Sequence, residues 1–171
     1  MFDLVLRDAH LLDRDGAWDT GLRARLILAV RNALDDATIV ALGRAFGERA
    51  HADDVRCVVL RGEGPAFCAG LDRGTLASLG GGDLDRVRKH GPWFQGVIAS
   101  IADCPKPTLA AVQGACVGGG VALLLACDLR VASTDAFFSM MEVRYAFVPD
   151  LGHVHRLQRE VGLARAKEFL Y

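Results

Sequence analysis

The chain has 171 residues, 51% of them apolar and 24% charged, with a net charge of −1. That length supports one domain with a core of its own, and the composition excludes a disordered chain. No block of like charge occurs, which argues against nucleic acid or a membrane surface as the main partner.

The longest apolar run, residues 121–127, is too short to span a bilayer. Residues 1–8 lack the basic-then-apolar layout of a signal peptide, so the cytoplasm is the default location. The five cysteines, at 57, 68, 104, 116 and 127, are odd in number and form no CxxC pair. A disulfide framework or a zinc knuckle is therefore not expected. Cys57 and Cys127 read as core filler. Cys68 and Cys116 lie beside glycines, but a nucleophilic cysteine requires a base, and no histidine is close in sequence.

Residues 21–30 read as a strand. Asn32 is placed to cap a helix over residues 33–51, with Leu34, Ala37, Val40, Ala41, Ala45 and Phe46 as its apolar stripe. Residues 55–61 form a buried-type strand rich in β-branched side chains. Gly62-Glu63-Gly64-Pro65 turns the chain into a tight loop or short strand over residues 67–72. Gly80-Gly81-Gly82 reads as a flexible surface break. Residues 83–104 are mostly helical, with an interruption or kink expected at Gly91-Pro92. Trp93 and Phe94 suit core or subunit contacts. Residues 108–112 are a second buried strand, 117–126 a very apolar helix that Asp128 ends, 129–132 a third strand and 137–140 a fourth. Residues 152–171 are helical with a break near Gly162. The repeated strand–helix alternation indicates an α/β fold.

The strand at 108–112 runs through Gln113-Gly114-Ala115-Cys116-Val117 into Gly118-Gly119-Gly120, which opens the apolar helix. Backbone N–H groups exposed at such a junction attract negative charge. No Lys-Ser or Lys-Thr follows the glycines, against a phosphate-binding loop. The spacing Gly114-x-x-x-Gly118-Gly119-Gly120 is wrong for a dinucleotide site. Close helix–strand packing is the structural alternative. His153 and His155 stand two apart, which on a helix places them on different faces. A metal site is not expected there, and a surface or packing role is.

These segments together resemble the crotonase superfamily, the enoyl-CoA hydratase/isomerase fold. The likeness runs through Arg31-Asn32-Ala33-Leu34-Asp35, Val58-Val59-Leu60-Arg61-Gly62 and Pro65-Ala66-Phe67-Cys68-Ala69-Gly70-Leu71-Asp72. It is strongest from Lys106 onward, where Phe138, Glu142, Pro149-Asp150 and Arg156-Leu157 fall at the family's spacing. The first twenty residues are atypical, and Ala29-Val30 replaces the family's usual Asn-Arg-Pro. The chain stops where family members continue into helices that commonly help close the site, bind the coenzyme and build the trimer.

The resemblance implies one crotonase-like core domain over residues 1–171. Its fold would be α/β of the ClpP/crotonase type, a repeated β-β-α superhelix with the C-terminal helical region truncated. It implies an acyl-CoA substrate, no cofactor beyond the coenzyme A that the substrate carries, no metal, and a homotrimer or dimer of trimers. By resemblance, the backbone N–H groups of Leu71 and Gly119 form an oxyanion hole for the thioester enolate. Arg31 would meet coenzyme phosphate, with a solvated or salt-bridged arginine as the alternative. Ala33, Phe67, Ala69, Gly70, Asp72 and Gly118 would line the acyl-CoA site.

Hydratases of the family use two glutamates. Glu142 matches one of them, and Ala122 stands in the place of the other. In dienoyl-CoA isomerases of the superfamily, acidic residues occupy the positions of both Glu142 and Asp150. Phe137-Phe138 and Glu142-Val143 also resemble that subgroup, although its further acid is absent at Ala122. Chlorobenzoyl-CoA dehalogenases place a nucleophilic aspartate at the Asp150 position but an aromatic residue where Glu142 stands. Asp150 also suits a turn and helix cap. The expected activity is therefore enolate stabilisation with double-bond migration, catalysed by Glu142 with help from Asp150. The alternatives are a 2-enoyl-CoA hydratase and a non-catalytic acyl-CoA-binding or assembly subunit.

Overall fold

A computed structural model describes residues 11–12, 18–19, 25–28, 33–53, 55–80 and 84–171. Arg31, Asn32, Gly81 and Gly82 lie outside these residues. The expectations of a coenzyme contact, a helix cap and a glycine-rich break at those positions lie outside them too.

In chain order come β1 (Leu11–Leu12), β2 (Trp18–Asp19), β3 (Arg25–Leu28), β4 (Ala33–Leu34) and α1 (Asp36–Gly47). After a 3-10 turn at Arg49–His51 follow β5 (Val58–Gly62), β6 (Gly70–Leu71), α2 (Arg73–Gly80) and α3 (Leu84–Ala102). Then come β7 (Thr108–Val112), β8 (Ala115–Val117), α4 (Gly119–Ala126), β9 (Leu129–Ala132) and β10 (Phe137–Ser139). A 3-10 turn at Glu142–Tyr145 leads to α5 (His153–Val161) and α6 (Leu163–Leu170).

β3, β5, β7 and β9 make a four-stranded parallel sheet in that order. The short strands pair separately, β4 with β6 and β8 with β10, also in parallel. A parallel backbone β-bridge between Cys68 and Cys116, whose thiols are both free, links the two short pairs side by side. The chain thus repeats a long strand, a short strand and a helix: β5-β6-α2-α3, then β7-β8-α4, then β9-β10-α5. This is the β-β-α repeat that the family resemblance implies.

The central helix is α4. All eight of its residues are buried, as an all-apolar helix requires. Each buried leucine there contributes about 1.5–3 kcal/mol relative to an exposed one. Asp128 anchors the end of this segment. Its carboxylate accepts from Thr108 N–H and Thr108 Oγ1–H, both at 2.8 Å, and its own N–H donates back to Thr108 Oγ1. That ties the exit of α4 to the start of β7.

Three expectations need correction. The helix expected over 33–51 begins at Asp36, because the Asp35 carboxylate accepts from Thr38 N–H at 2.7 Å and caps it there. Ala33 and Leu34 are strand instead, paired with Gly70 and Leu71. The buried face of α1 is accordingly Thr38, Ile39, Leu42 and Phe46, and Val40 points outward. Second, α3 runs unbroken through Pro92, burying Phe94, Val97, Ile98 and Ile101 at helical spacing. Third, Val117 belongs to β8, and its helix starts two residues later. Trp93 is partly exposed and Cys57 only half-buried. No helix among the described residues is long and apolar enough to cross a membrane.

Candidate active site

Two backbone segments meet at the N-terminal end of α4. The first is the loop from Gly62 to Asp72. Gln113 braces it by donating from its side-chain amide to the carbonyls of Gly62 (2.7 Å) and Gly64 (3.1 Å). Phe67 N–H donates to Gln113 O, and the Phe67 ring is buried in the core. Gly114 has φ +53°, and a side chain there would run into the Pro65 carbonyl, so the turn into β8 requires glycine.

At the end of this loop Asp72 N–H donates to Leu34 O at 3.0 Å. Successive N–H groups alternate in direction along a strand, so that of Leu71 is turned away from β4. Gly70 has φ +90° and donates to Cys68 Sγ at 3.4 Å. Ala69 is exposed, and Ala33 half-buried beside Gly70. The Asp72 carboxylate is engaged locally. It accepts from Gly74 N–H (2.8 Å) and Thr75 N–H (3.1 Å) at the start of α2.

The second segment is the glycine triplet. Gly118, at φ 50°, donates its N–H to Ser139 O at 2.9 Å. Gly119 is the first residue of α4, and no side chain caps that end. The first N–H groups of a helix have no acceptor within it, and the helix dipole adds positive charge there. Gly120 packs against Cys68, as the structural alternative for the triplet required.

The 3-10 turn at Glu142–Tyr145 brings a carboxylate to this corner. Glu142 Oε1 lies 3.2 Å from where a Cβ on Gly118 would stand. The Glu142 side chain is 14% exposed, and its Oε2 is buried with no hydrogen-bond partner among the described residues. Asp150 is exposed, and Gln95 donates to its carboxylate at 3.0 Å. Leu71, Gly119 and Glu142 thus belong to elements converging on one corner, with Asp150 on the turn that leads from Glu142 into α5.

Of the surface and packing roles expected at this HxH pair, His153 takes the packing one. It is fully buried, with Nε2 3.1 Å from Gly118 O and 3.6 Å from Glu142 Oε1. Its place was legible one helical turn before Leu157, the other buried residue of α5. His155 is exposed, and no cluster of metal ligands occurs among the described residues. Burial pushes the Cys68 thiol up to about 12, partly offset by the Gly70 N–H, and raises Cys116 as well. Neither is a thiolate nucleophile near neutral pH.

A family model described as enoyl-CoA hydratase/isomerase matches residues 28–171. The chain belongs to this family. A peroxisomal Delta(3,5)-Delta(2,4)-dienoyl-CoA isomerase of Arabidopsis thaliana is 39% identical over 146 residues, 80% of this chain and 52% of that protein. The mitochondrial methylglutaconyl-CoA hydratase of Homo sapiens is 35% identical over 145 residues, 82% of this chain and 41% of that protein. Among solved structures, an enoyl-CoA hydratase from Bacillus anthracis superposes with a TM-score of 0.80 at 30% identity, covering 88% of this chain and 58% of that one. The crotonase-like fold is therefore shown. The chain spans about half the length of the curated relatives it matches. Those relatives are peroxisomal and mitochondrial proteins, so the cytoplasmic expectation finds no support in them.

Proposed function

We propose that this chain binds an acyl-CoA thioester, holds the enolate oxygen with the N–H groups of Leu71 and Gly119, and moves a double bond by proton transfer through Glu142. The observation that carries this reading is the buried, unpartnered Glu142 Oε2 beside the uncapped N-terminus of α4. A buried carboxylate oxygen without a donor is costly unless a ligand or a proton completes it. Removing a proton from the carbon next to the thioester places negative charge on the thioester oxygen, and two preorganised N–H donors stabilise that charge. Glu142 carries that proton to the more distant carbon, and Asp150, held by Gln95, assists the transfer.

Isomerisation is favoured over hydration because Ala122 is buried and apolar where hydratases carry their second glutamate. An alanine cannot hold or activate water. The methylglutaconyl-CoA hydratase likeness keeps hydration as the second reading. Incubating the chain with 3,5-dienoyl-CoA, 3-enoyl-CoA and 2-enoyl-CoA separates them. Double-bond migration without water addition supports the proposal, and hydration of 2-enoyl-CoA as the faster reaction would replace it. Binding of all three without turnover would favour a non-catalytic acyl-CoA-binding subunit.

The proposal includes self-association as a trimer or a pair of trimers. The outward apolar side chains of β9 and β10, Leu129, Val131, Phe137 and Phe138, support it. No cofactor beyond the coenzyme A of the substrate enters this reaction.

A further inference from the structure

We propose that His153 is a positioning residue that ties the Glu142 carboxylate to the peptide group presenting the Gly119 N–H. This rests on the roles proposed above for Glu142 and Gly119.

His153 is fully buried on the first turn of α5, and its Nε2 lies 3.1 Å from the Gly118 carbonyl oxygen. A carbonyl only accepts, so the ring proton of this contact sits on Nε2. Gly118 O also accepts from Val121 N–H at 2.8 Å. The Gly118 carbonyl and the Gly119 N–H are the two ends of one planar peptide and point in opposite directions. Two donors on the carbonyl therefore fix the direction of the N–H. They also polarise the peptide, which strengthens the N–H as a donor. Gly118 has no side chain to hold this peptide, and its φ of 50° and ψ of −118° are conformations that only glycine adopts freely. Its orientation has to be imposed from outside.

The same Nε2 lies 3.6 Å from Glu142 Oε1. That is too long for a hydrogen bond, but an N–H dipole at that distance attracts a carboxylate oxygen in a buried site. Oε1 is thereby held between His153 and the Cα of Gly118. Oε2, the oxygen without a partner, is left for the proton. One imidazole thus sets both the base and the oxyanion donor.

The test compares His153→Phe and His153→Gln in the whole 171-residue chain, using 3,5-dienoyl-CoA turnover and the absorbance of bound 2,4-hexadienoyl-CoA. The phenylalanine variant is expected to keep KM within about twofold while kcat falls about 10- to 100-fold, part of the effect of losing one oxyanion donor. The red shift of the bound dienoyl thioester is expected to shrink. The glutamine variant, whose amide can donate to Gly118 O, is expected to recover most of both. A folded His153→Phe with wild-type kcat, or equal kcat losses in the two variants, overturns the proposal.

Nitrogen-15 NMR of histidine-labelled wild-type chain decides the matter if the variants do not fold. A proton on Nε2 of His153 is expected, and a proton confined to Nδ1 overturns the proposal. Failure of the wild-type chain to bind any acyl-CoA removes the proposed function instead, and the tautomer measurement then still decides whether His153 holds the Gly118 peptide.

Discussion

Cys68 and Gly120 face each other so closely that a Cβ on Gly120 would stand 2.7 Å from the Cys68 Cβ and 3.1 Å from the Cys68 carbonyl oxygen. The loop carrying Leu71 and the helix end carrying Gly119 are thus in contact through backbone, and their separation is fixed by the absence of a side chain. Gly120→Ala is expected to destabilise the chain by about 1–3 kcal/mol, as overpacking of a filled core does. Gly119→Ala is expected to cost less stability, because its Cβ would meet the movable Leu34 Cδ1 at 2.9 Å. Urea unfolding of the two variants checks the order, and a wild-type midpoint for Gly120→Ala would contradict it.

Cys68 also makes the chain sensitive to alkali. Its thiol is raised from 9.0 to about 12, chiefly by burial. Between those values the unfolded chain gives up the proton and the folded chain keeps it, so stability falls as pH rises. The contribution is fully present below about pH 9 and lost by about pH 12, at about 1.4 kcal/mol per pH unit. Cys68→Ala lacks this loss. The stability gap between wild type and Cys68→Ala is therefore expected to narrow from pH 9 upward. A gap that stays constant to pH 10.5 would contradict the burial argument.

Asp150 is the exposed partner in the proposed proton transfer, and Gln95 orients it with a 3.0 Å hydrogen bond. Asp150→Asn is expected to lower double-bond migration about 10- to 100-fold, at or below the lower end of the range for a general acid–base group, as suits an assisting residue. Gln95→Leu is expected to lower it only a few-fold, because the carboxylate stays in place. A wild-type rate for Asp150→Asn would reduce that residue to a turn former at the start of α5.

The apolar rows on β9 and β10 lead to an association prediction. Sedimentation velocity of the wild-type chain is expected to show a trimer or larger species, and Val131→Glu with Phe137→Glu is expected to shift it to monomer. A wild-type monomer at micromolar concentration would remove self-association from the proposal.

The parts of this fold that were legible in the sequence are those whose signal is local and strong. β5, β7 and α4 carry continuous apolar runs between glycine and proline punctuation. The glycine triplet marks its own junction. What was not legible depends on distant contacts or on choices between equivalent residues. Asn32 and Asp35 are both good caps, and the pairing of Ala33-Leu34 with Gly70-Leu71 leaves Asp35 as the one that starts the helix at Asp36. β4 and β6 have two residues each, too few for any periodicity. Gln113 holds its loop through carbonyls about fifty residues away along the chain. His153 meets Gly118 across 35 residues of sequence. Gly91-Pro92 signals an interruption or a kink, and the burial of Phe94, Val97 and Ile98 carries α3 through it without an interruption.

The central claim is that the Glu142 carboxylate moves the proton at an acyl-CoA enolate. Glu142→Gln keeps the size of the side chain and removes its basicity, so calorimetry should show acyl-CoA binding close to wild type. Deuterium exchange into the carbon next to the thioester, followed by NMR in heavy water, should fall about 100- to 10,000-fold, together with double-bond migration. Exchange and migration at the wild-type rate in a folded Glu142→Gln chain would contradict the account.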